Sequence, residues 1–519
     1  MDRGAEEEGS VTGSKGLLTA ATMIASLMAF VDIAIINVAL TDIRASFGTP
    51  LDRISWVSTV YMMANIVAIP MSGWLQRRFG FRGYFTACVA AFTLASALCA
   101  TSWSFSSLVA FRAFQGLAGG ALIPTAQALL FSRYPQREHG VAAALIGVAS
   151  ICGPLFGPFF GGWLIEMSGW HWIFLVNVPL GLLTVLMAWK SILEKPLPAT
   201  AEPIDLPGIA LLATGLLSLE YALEEGYRSG WLEDPTISAT VTVSAICLAT
   251  FVVHELETPH PLLKIRLLAN PSYSAATLIN FFVGSCVFSC GFMLALYCGS
   301  VLGYPALETG RIFLHGNLPL LALMPLSARL AKRADGRYSI AAGVLIIALS
   351  MWMNGHFTGR MDEATLVFPI IVRDFGIAAV FVPLLTYALS DVAAEDRGHA
   401  AALFNLTREL GGSVGTAWMT TSLDRSTRAH GSALASAVNE FQVVAQTEIR
   451  TFDFYLRARG VASSLLGAAK LTGARVARES LVLAFDDCFL LLALTFIAVL
   501  LAVPFLSRPS STDQALPAH

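Results

Sequence analysis

Charged residues are scarce: Asp, Glu, Lys and Arg make up 13% of the 519 residues, about half the share that soluble domains carry. With 55% of the chain drawn from AVILMFWYC and a mean hydropathy of +0.66, a soluble fold is excluded, because soluble chains of this length split into domains rather than enclose so much apolar surface. The solvent must be lipid. Basic charge is not in excess either, at 33 Lys and Arg against 36 Asp and Glu, so nothing argues for nucleic acid as a partner. The eight cysteines all sit inside apolar runs without metal-type spacing, which speaks against disulfide and zinc frameworks. A G-x-x-x-x-G-K-[ST] phosphate loop and metal-ligand clusters are also missing, so no cofactor, no metal and no enzymatic activity are expected. An ATP-driven pump in one chain is excluded, and an ion gradient remains as the energy source.

What is present is a series of apolar runs. About 20 such residues cross a ~30 Å hydrocarbon layer as a helix, and fourteen runs of this kind are counted between residues 17 and 506. The acidic start MDRGAEEEGSVTGSKG has no small-residue cleavage site, so the first run reads as a retained span. With the N-terminus inside, seventeen Lys and Arg fall on the inner side and five in the short outer loops, which places both termini in the cytoplasm. The expected fold is an all-α polytopic membrane protein. Its divisions are a cytoplasmic tail (1–16), a first lobe of helices 1–6 (17–193), two extra helices with linkers (194–270) and helices 9–13 of a second lobe (271–422). A long outer loop (423–481), helix 14 (482–506) and a cytoplasmic tail (507–519) follow. The long loop, with helical spacing of Ser, Ala, Gln, Glu and Arg, suggests a small amphipathic hairpin at the membrane surface.

A repeat is visible at an offset of 258: Glu138 to Leu145 lies over Asp396 to Leu403, Gly153 over Gly411 and Gly157 over Gly415. Both stretches enter helices running in the same direction, which is the signature of two parallel-repeat lobes. Six helices per lobe leave spans seven and eight between them.

Several groups inside these runs carry chemistry. A carboxylate near mid-bilayer is costly and by default functional, so Asp32 in the first span is a candidate proton carrier, with a structural Asp bonded to a neighbouring helix as the alternative. Arg112 in span four is expected at roughly 8 to 10 Å depth, near the roughly 12 Å of Asp32 by the 1.5 Å helical rise. A guanidinium there can favour the charged carboxylate in one conformation and release it in another; a static salt bridge is the alternative. Gly73, Arg77 and Gly80 in the loop after span two fit a tight turn anchored at lipid heads, or simply a basic loop that sets topology. In span five Gly153, Pro154, Gly157 and Gly161 allow close helix approach and bending. In the second lobe Asp374 and Glu409 are further proton-coupling candidates, each next to an arginine. Because neighbours on a helix diverge by about 100°, Arg373 and Arg408 are not expected to cap them. Asn37, Gln115, Gln127, Asn405 and Arg408 are the polar candidates for a substrate cavity. Glu220, Glu224, His315 and Asp486-Asp487 read as interfacial or structural.

Together these residues resemble the major facilitator superfamily, in its 14-span drug:proton antiporter branch, over about residues 17 to 506. Asp32 to Leu40 looks like the branch's first-helix motif, Gly73 to Arg82 like the superfamily loop motif, Arg112 to Gly120 like the span-four motif and Gly153 to Gly162 like the antiporter motif. Trp170 to Gly181 and Phe404 to Arg408 match further stretches of the branch. Pro124-Thr125-Ala126-Gln127 and the long loop before the last span are similar to EmrB-type permeases. The resemblance implies two six-helix lobes plus two extra helices in the inner membrane of a bacterium. It further implies proton-driven export of small lipophilic compounds through multidrug efflux, and a periplasmic adaptor (membrane fusion protein) and outer-membrane channel as partners. Export of a single metabolite, self-made antibiotic or siderophore is an alternative, and a non-transporting receptor or scaffold is a second. Two departures stand out: Gln76 replaces the usual acidic residue of the loop motif, and Asp374 stands where span twelve normally has Gly.

Overall fold

The computed structural model describes residues 15–507 apart from 50, 55, 136–137, 193–204, 260, 332–334, 359–360, 391, 394 and most of 438–463. The two tails, the linker after the first lobe and the tip of the long loop thus lie largely outside the described residues, as do the side chains of Asn37 and Pro154.

The described chain is built of helices. The first lobe holds α1 (Lys15–Phe47), the short α2 (Leu51–Ile54), α3 (Trp56–Ala100), α4 (Phe105–Gly119), α5 (Leu122–Arg133), α6 (His139–Ser168), α7 (Trp172–Leu175) and α8 (Asn177–Ser191). Next come the extra helices α9 (Leu206–Ser229) and α10 (Pro235–Glu257). The second lobe holds α11 (Pro271–Tyr297), α12 (Ala306–Asn317), α13 (Leu320–Ala331), α14 (Gly336–Asn354), α15 (Glu363–Ser390), α16 (Arg397–Ala437) and α17 (Ser464–Val499). Among the described residues eleven helical segments are long and apolar enough to cross a membrane. One of them, α3, has 45 residues, about 68 Å at 1.5 Å per residue and so two crossings. It folds back at Gly80, whose φ of 72° and ψ of 156° suit only a residue without Cβ. The α12–α13 pair and α16 occupy the other two expected spans, giving fourteen crossings.

The outside of the bundle confirms the solvent: Leu94, Leu182, Leu186, Ile246, Leu345 and Leu494 are exposed, as lipid-facing side chains must be. Inside, helices meet through small residues, since apolar side chains gain nothing by leaving lipid and backbones must approach for dispersion to act. On α6 a Cβ at Gly153 would overlap the Phe30 carbonyl of α1, and one at Gly157 would lie 2.7 Å from the Ala34 Cβ. On α16 a Cβ at Gly411 would overlap the Phe281 carbonyl of α11, and one at Gly415 would overlap the Ser285 hydroxyl. Phe30 and Phe281 are 251 positions apart, as are Ala34 and Ser285. The same crossing is therefore built twice, which is the structural counterpart of the sequence repeat. α6 passes its two proline positions as one unbroken helix.

The expected surface hairpin between the last two spans lies in part outside the described residues, and its described arms continue the spans as helix. α16 continues to Ala437 and α17 begins at Ser464, so the last two spans extend well past the hydrocarbon layer: 41 residues make about 62 Å of helix. The extensions stay beside each other and the span, with a Cβ added at Gly431 3.7 Å from Ser480 Oγ and His430 Nε2 2.8 Å from Asp487 Oδ2. A low-charge pattern reads as span only where it is apolar. Alternation of Ala, Ser and Arg carries no such mark, although it continues the same helix.

The glycine contacts yield a direct expectation. Gly411→Val should cost about 1–3 kcal/mol through overpacking and lower the detergent thermal midpoint. Gly291→Val, at a site with nothing within 4 Å of an added Cβ, should leave it nearly unchanged.

Candidate functional site

Four helices of the first lobe deliver polar groups to one sealed point. Asp32 on α1, Arg112 and Gln115 on α4, Ser96 on α3 and Asn177 on α8 are all at most 2% exposed. Arg112 Nη1 donates to Asp32 Oδ2 at 2.6 Å and to Gln115 Oε1 at 2.8 Å. The other carboxylate oxygen accepts from Gln115 Nε2 at 2.8 Å and Asn177 Nδ2 at 3.1 Å. Gln115 also donates to Ser96 Oγ at 2.8 Å. Arg112 Nε donates to the Val57 carbonyl at 3.1 Å, and its guanidinium lies 4.1 Å from the centre of the Tyr61 ring. Such a pair persists in low dielectric only when its remaining lone pairs and protons are also satisfied. Gln115, Ser96 and Asn177 do most of that, while Arg112 Nη2 is left without a hydrogen bond.

Sequence reading placed Asp32 and Arg112 at one depth, and the structure brings them into contact. Gln115, expected in a substrate cavity, belongs instead to the Asp32 set. Ser96, Tyr61 and Asn177 were not singled out, because a lone Ser, Tyr or Asn in a span carries little signal until its neighbours are known.

The second lobe corrects one expectation. Both arginines do bond their sequence neighbours: Arg373 reaches Asp374 Oδ1 from Nε at 3.0 Å and Nη2 at 2.9 Å, and Arg408 Nη2 reaches Glu409 at 3.1 Å. The 100° divergence of adjacent Cα–Cβ directions is overcome by the length of the arginine stem, which curls back along the helix. Arg373 additionally donates to Asn317 Oδ1 of α12 at 2.7 Å. Arg408 lies 5.4 Å from the Phe30 ring of α1, so the Arg408–Glu409 pair stands between the lobes.

The lobes meet at the end of the bundle where α1 begins. Gln127 on α5 and Asn405 on α16, expected to line a cavity, are fully buried and exchange hydrogen bonds with each other. Gly73 lies against the backbone of Gly398 and His399, 3.0 Å from where its Cβ would be. Arg397 donates to the Phe131 carbonyl at 3.2 Å. Gln76 is buried here, donating to Thr125 Oγ1 at 3.0 Å. Arg77 follows on the next position of the same helix. At this contact Gln76 is a neutral amide, with its oxygen 3.0 Å from where a Cβ of Gly398 would be.

Glu220 was misplaced by sequence reading. It is 7% exposed, because α9 runs on to Ser229 and puts Glu220 about 13 Å from the helix end by the 1.5 Å rise, not at the span's edge.

Removing one partner of the sealed pair should be costly. Arg112→Leu is expected to destabilise the detergent-purified protein by about 3–5 kcal/mol, as for other broken buried pairs. Asp32→Asn combined with Arg112→Leu should recover part of that loss in a thermal-unfolding double-mutant cycle.

With this geometry in place, the similarities of the chain are informative. The pattern described as Major Facilitator Superfamily matches residues 22–416. The chain is 29% identical to "Multidrug export protein EmrB" of Haemophilus influenzae, over 96% of this chain and 97% of that protein. It is 30% identical to "Colistin resistance protein EmrB" of Acinetobacter baumannii, over 79% and 80%, and 28% identical to "Fatty acid resistance protein FarB" of Neisseria gonorrhoeae, over 94% of each. In three dimensions it is similar to the human organic anion transporter MFSD10 (TETRAN), with a TM-score of 0.58 at 14% identity over 94% of this chain and 98% of that one; this speaks for the fold alone. Fourteen crossings, a doubled helix crossing and these relationships agree that the chain belongs to the Major Facilitator Superfamily, as a permease of the EmrB type.

Proposed function

We propose that the protein is a proton-driven antiporter that exports hydrophobic or amphipathic compounds by alternating access. The carrying observation is the sealed Asp32–Arg112 pair. Every contact Asp32 makes there is an acceptor contact, and protonation turns one of its oxygens into a donor facing N–H groups. Gaining a proton therefore breaks the set, and losing it restores the set. That supplies the differential affinity between two conformations on which coupling depends.

The rest of the cycle follows from the interface. With both termini in the cytoplasm, the contacts of Gly73 with Gly398 and of Gln127 with Asn405 close the cytoplasmic side. Opening that side separates Gln127 from Asn405, and they then line the cavity along with Arg408. Gly153 and Gly157 let α6 slide against α1 as the lobes rock. Asp374, held by Arg373, and Glu409, held by Arg408, are further titrating candidates. The divisions at 17–193, 194–270 and 271–506 follow the two lobes and the intervening pair. The names of the relatives, which speak of multidrug export, colistin resistance and fatty acid resistance, support a broad range of hydrophobic or amphipathic substrates. The helical extensions of α16 and α17 beyond the lipid support docking of a periplasmic adaptor that leads to an outer-membrane channel. Transport itself makes and breaks no covalent bond.

Asp32→Asn should abolish drug-dependent proton movement in proteoliposomes, read by quenching of a pH-gradient dye across a panel of lipophilic cations, weak acids and neutral compounds. Undiminished coupled transport in that variant would overturn the assignment of Asp32.

A further inference from the structure

The first extra helix does more than fill the space between the lobes. α9 packs on α3 of the first lobe and on α16 of the second. It is held by a ring contact of Trp56 with Tyr221, 6.2 Å between centroids, and near its end by a 3.0 Å bond from Trp231 Nε1 to Thr421 Oγ1. Glu220 on this helix is buried, and its Oε1 has no hydrogen-bond partner. Ser413 of α16 hydrogen-bonds the carboxyl, and within electrostatic reach are Glu409, one turn earlier on α16, and Glu224, one turn along α9.

A carboxylate oxygen with no donor in such surroundings is costly when ionised, and a like charge nearby adds to that cost. Arg408, next to Glu409 on α16, is engaged with that carboxylate at 3.1 Å. Among the described residues the charged groups that act on Glu220 are Glu224 of its own helix and Glu409 of α16. Tyr61 of α3 connects this point with the first site. Its ring lies beneath Arg112, its hydroxyl is buried beside Asn65, and its charge environment includes both Asp32 and Glu409.

We propose that Glu220 is a second proton-binding site, set by the extra helix against Glu409 of the second lobe, so that the carrier takes up one proton at Asp32 and another at the Glu220–Glu409 pair in each cycle. This rests on the proton-coupled reading above and deepens it. The proton enters on the carboxyl while α9 and α16 are in contact, as in this structure, and leaves when lobe movement separates Glu220 from Glu409 and admits water.

The test is infrared spectroscopy of the full-length carrier in liposomes at pH 7, in the region of the protonated-carboxyl C=O stretch. A band is expected that disappears in Glu220→Gln, shifts in Glu220→Asp and persists in Asp32→Asn. The number of protons exchanged per tetraphenylphosphonium, from reversal potentials, should fall by one in Glu220→Gln. A band unchanged in Glu220→Gln overturns the proposal, as does an unchanged proton count. Should Glu220→Gln fail to fold, an unshifted band in Glu220→Asp overturns it instead. If wild-type protein moves tetraphenylphosphonium with no protons, the proton-driven reading fails for this probe, while the infrared band still decides whether Glu220 holds a proton.

Discussion

The structure turns on one buried ion pair. A carboxylate and a guanidinium inside a lipid-embedded helix bundle attract strongly but lose their hydration, and the balance is favourable only if the remaining donors and acceptors are met. In the first lobe that requirement recruits Gln115, Ser96, Asn177 and the Val57 carbonyl, and so ties four helices to a single point. Any change in the charge of Asp32 is then felt by α3, α4 and α8 together. A group in this position suits a coupling role because its neighbours move with it.

The two lobes repeat the architecture but not the charge. The crossing of α1 with α6 recurs as that of α11 with α16, by way of glycines set against the opposing backbone. At the offset of 251 that relates Phe30 to Phe281, the counterpart of Asp32 is Val283, a buried apolar residue. The fourth helix of each lobe nevertheless carries a buried arginine, Arg112 and Arg373. In the second lobe the counter-charge comes from Asp374 on the same helix, which accounts for a carboxylate at a position where a glycine is usual. The repeat supplies two equivalent frames, and the differences between them make one lobe's pair interhelical and the other's local.

Neutral contacts dominate where the lobes touch. Gln127 with Asn405 and Gly73 with Gly398 make neutral contacts of amides and glycines there, beside the cationic contact of Arg397 with the Phe131 carbonyl. Gln76 fits this pattern, meeting Thr125 and Gly398 as a neutral amide. Closing energies of a few weak bonds suit a contact that must form and break in every cycle.

The lipid environment, the fourteen crossings, the doubled lobe and the pairing of Asp32 with Arg112 were legible in the sequence, because each depends on length, apolarity or spacing along single helices. Gly80 was legible for the same reason, since a positive φ between two spans demands glycine. Three things were not. Asn177 and Ser96 are ordinary residues until the fold places them beside a carboxylate. The arginine–carboxylate pairs of the second lobe depend on side-chain reach, which the direction of Cα–Cβ bonds does not reveal. Glu220 looked interfacial because the apolar run ends near it, whereas the helix continues for two more turns and its neighbours come from α16, almost two hundred positions away in the chain. Sequence determines which groups enter the membrane and at what depth; which of them meet is decided by how helices from both lobes pack around one another.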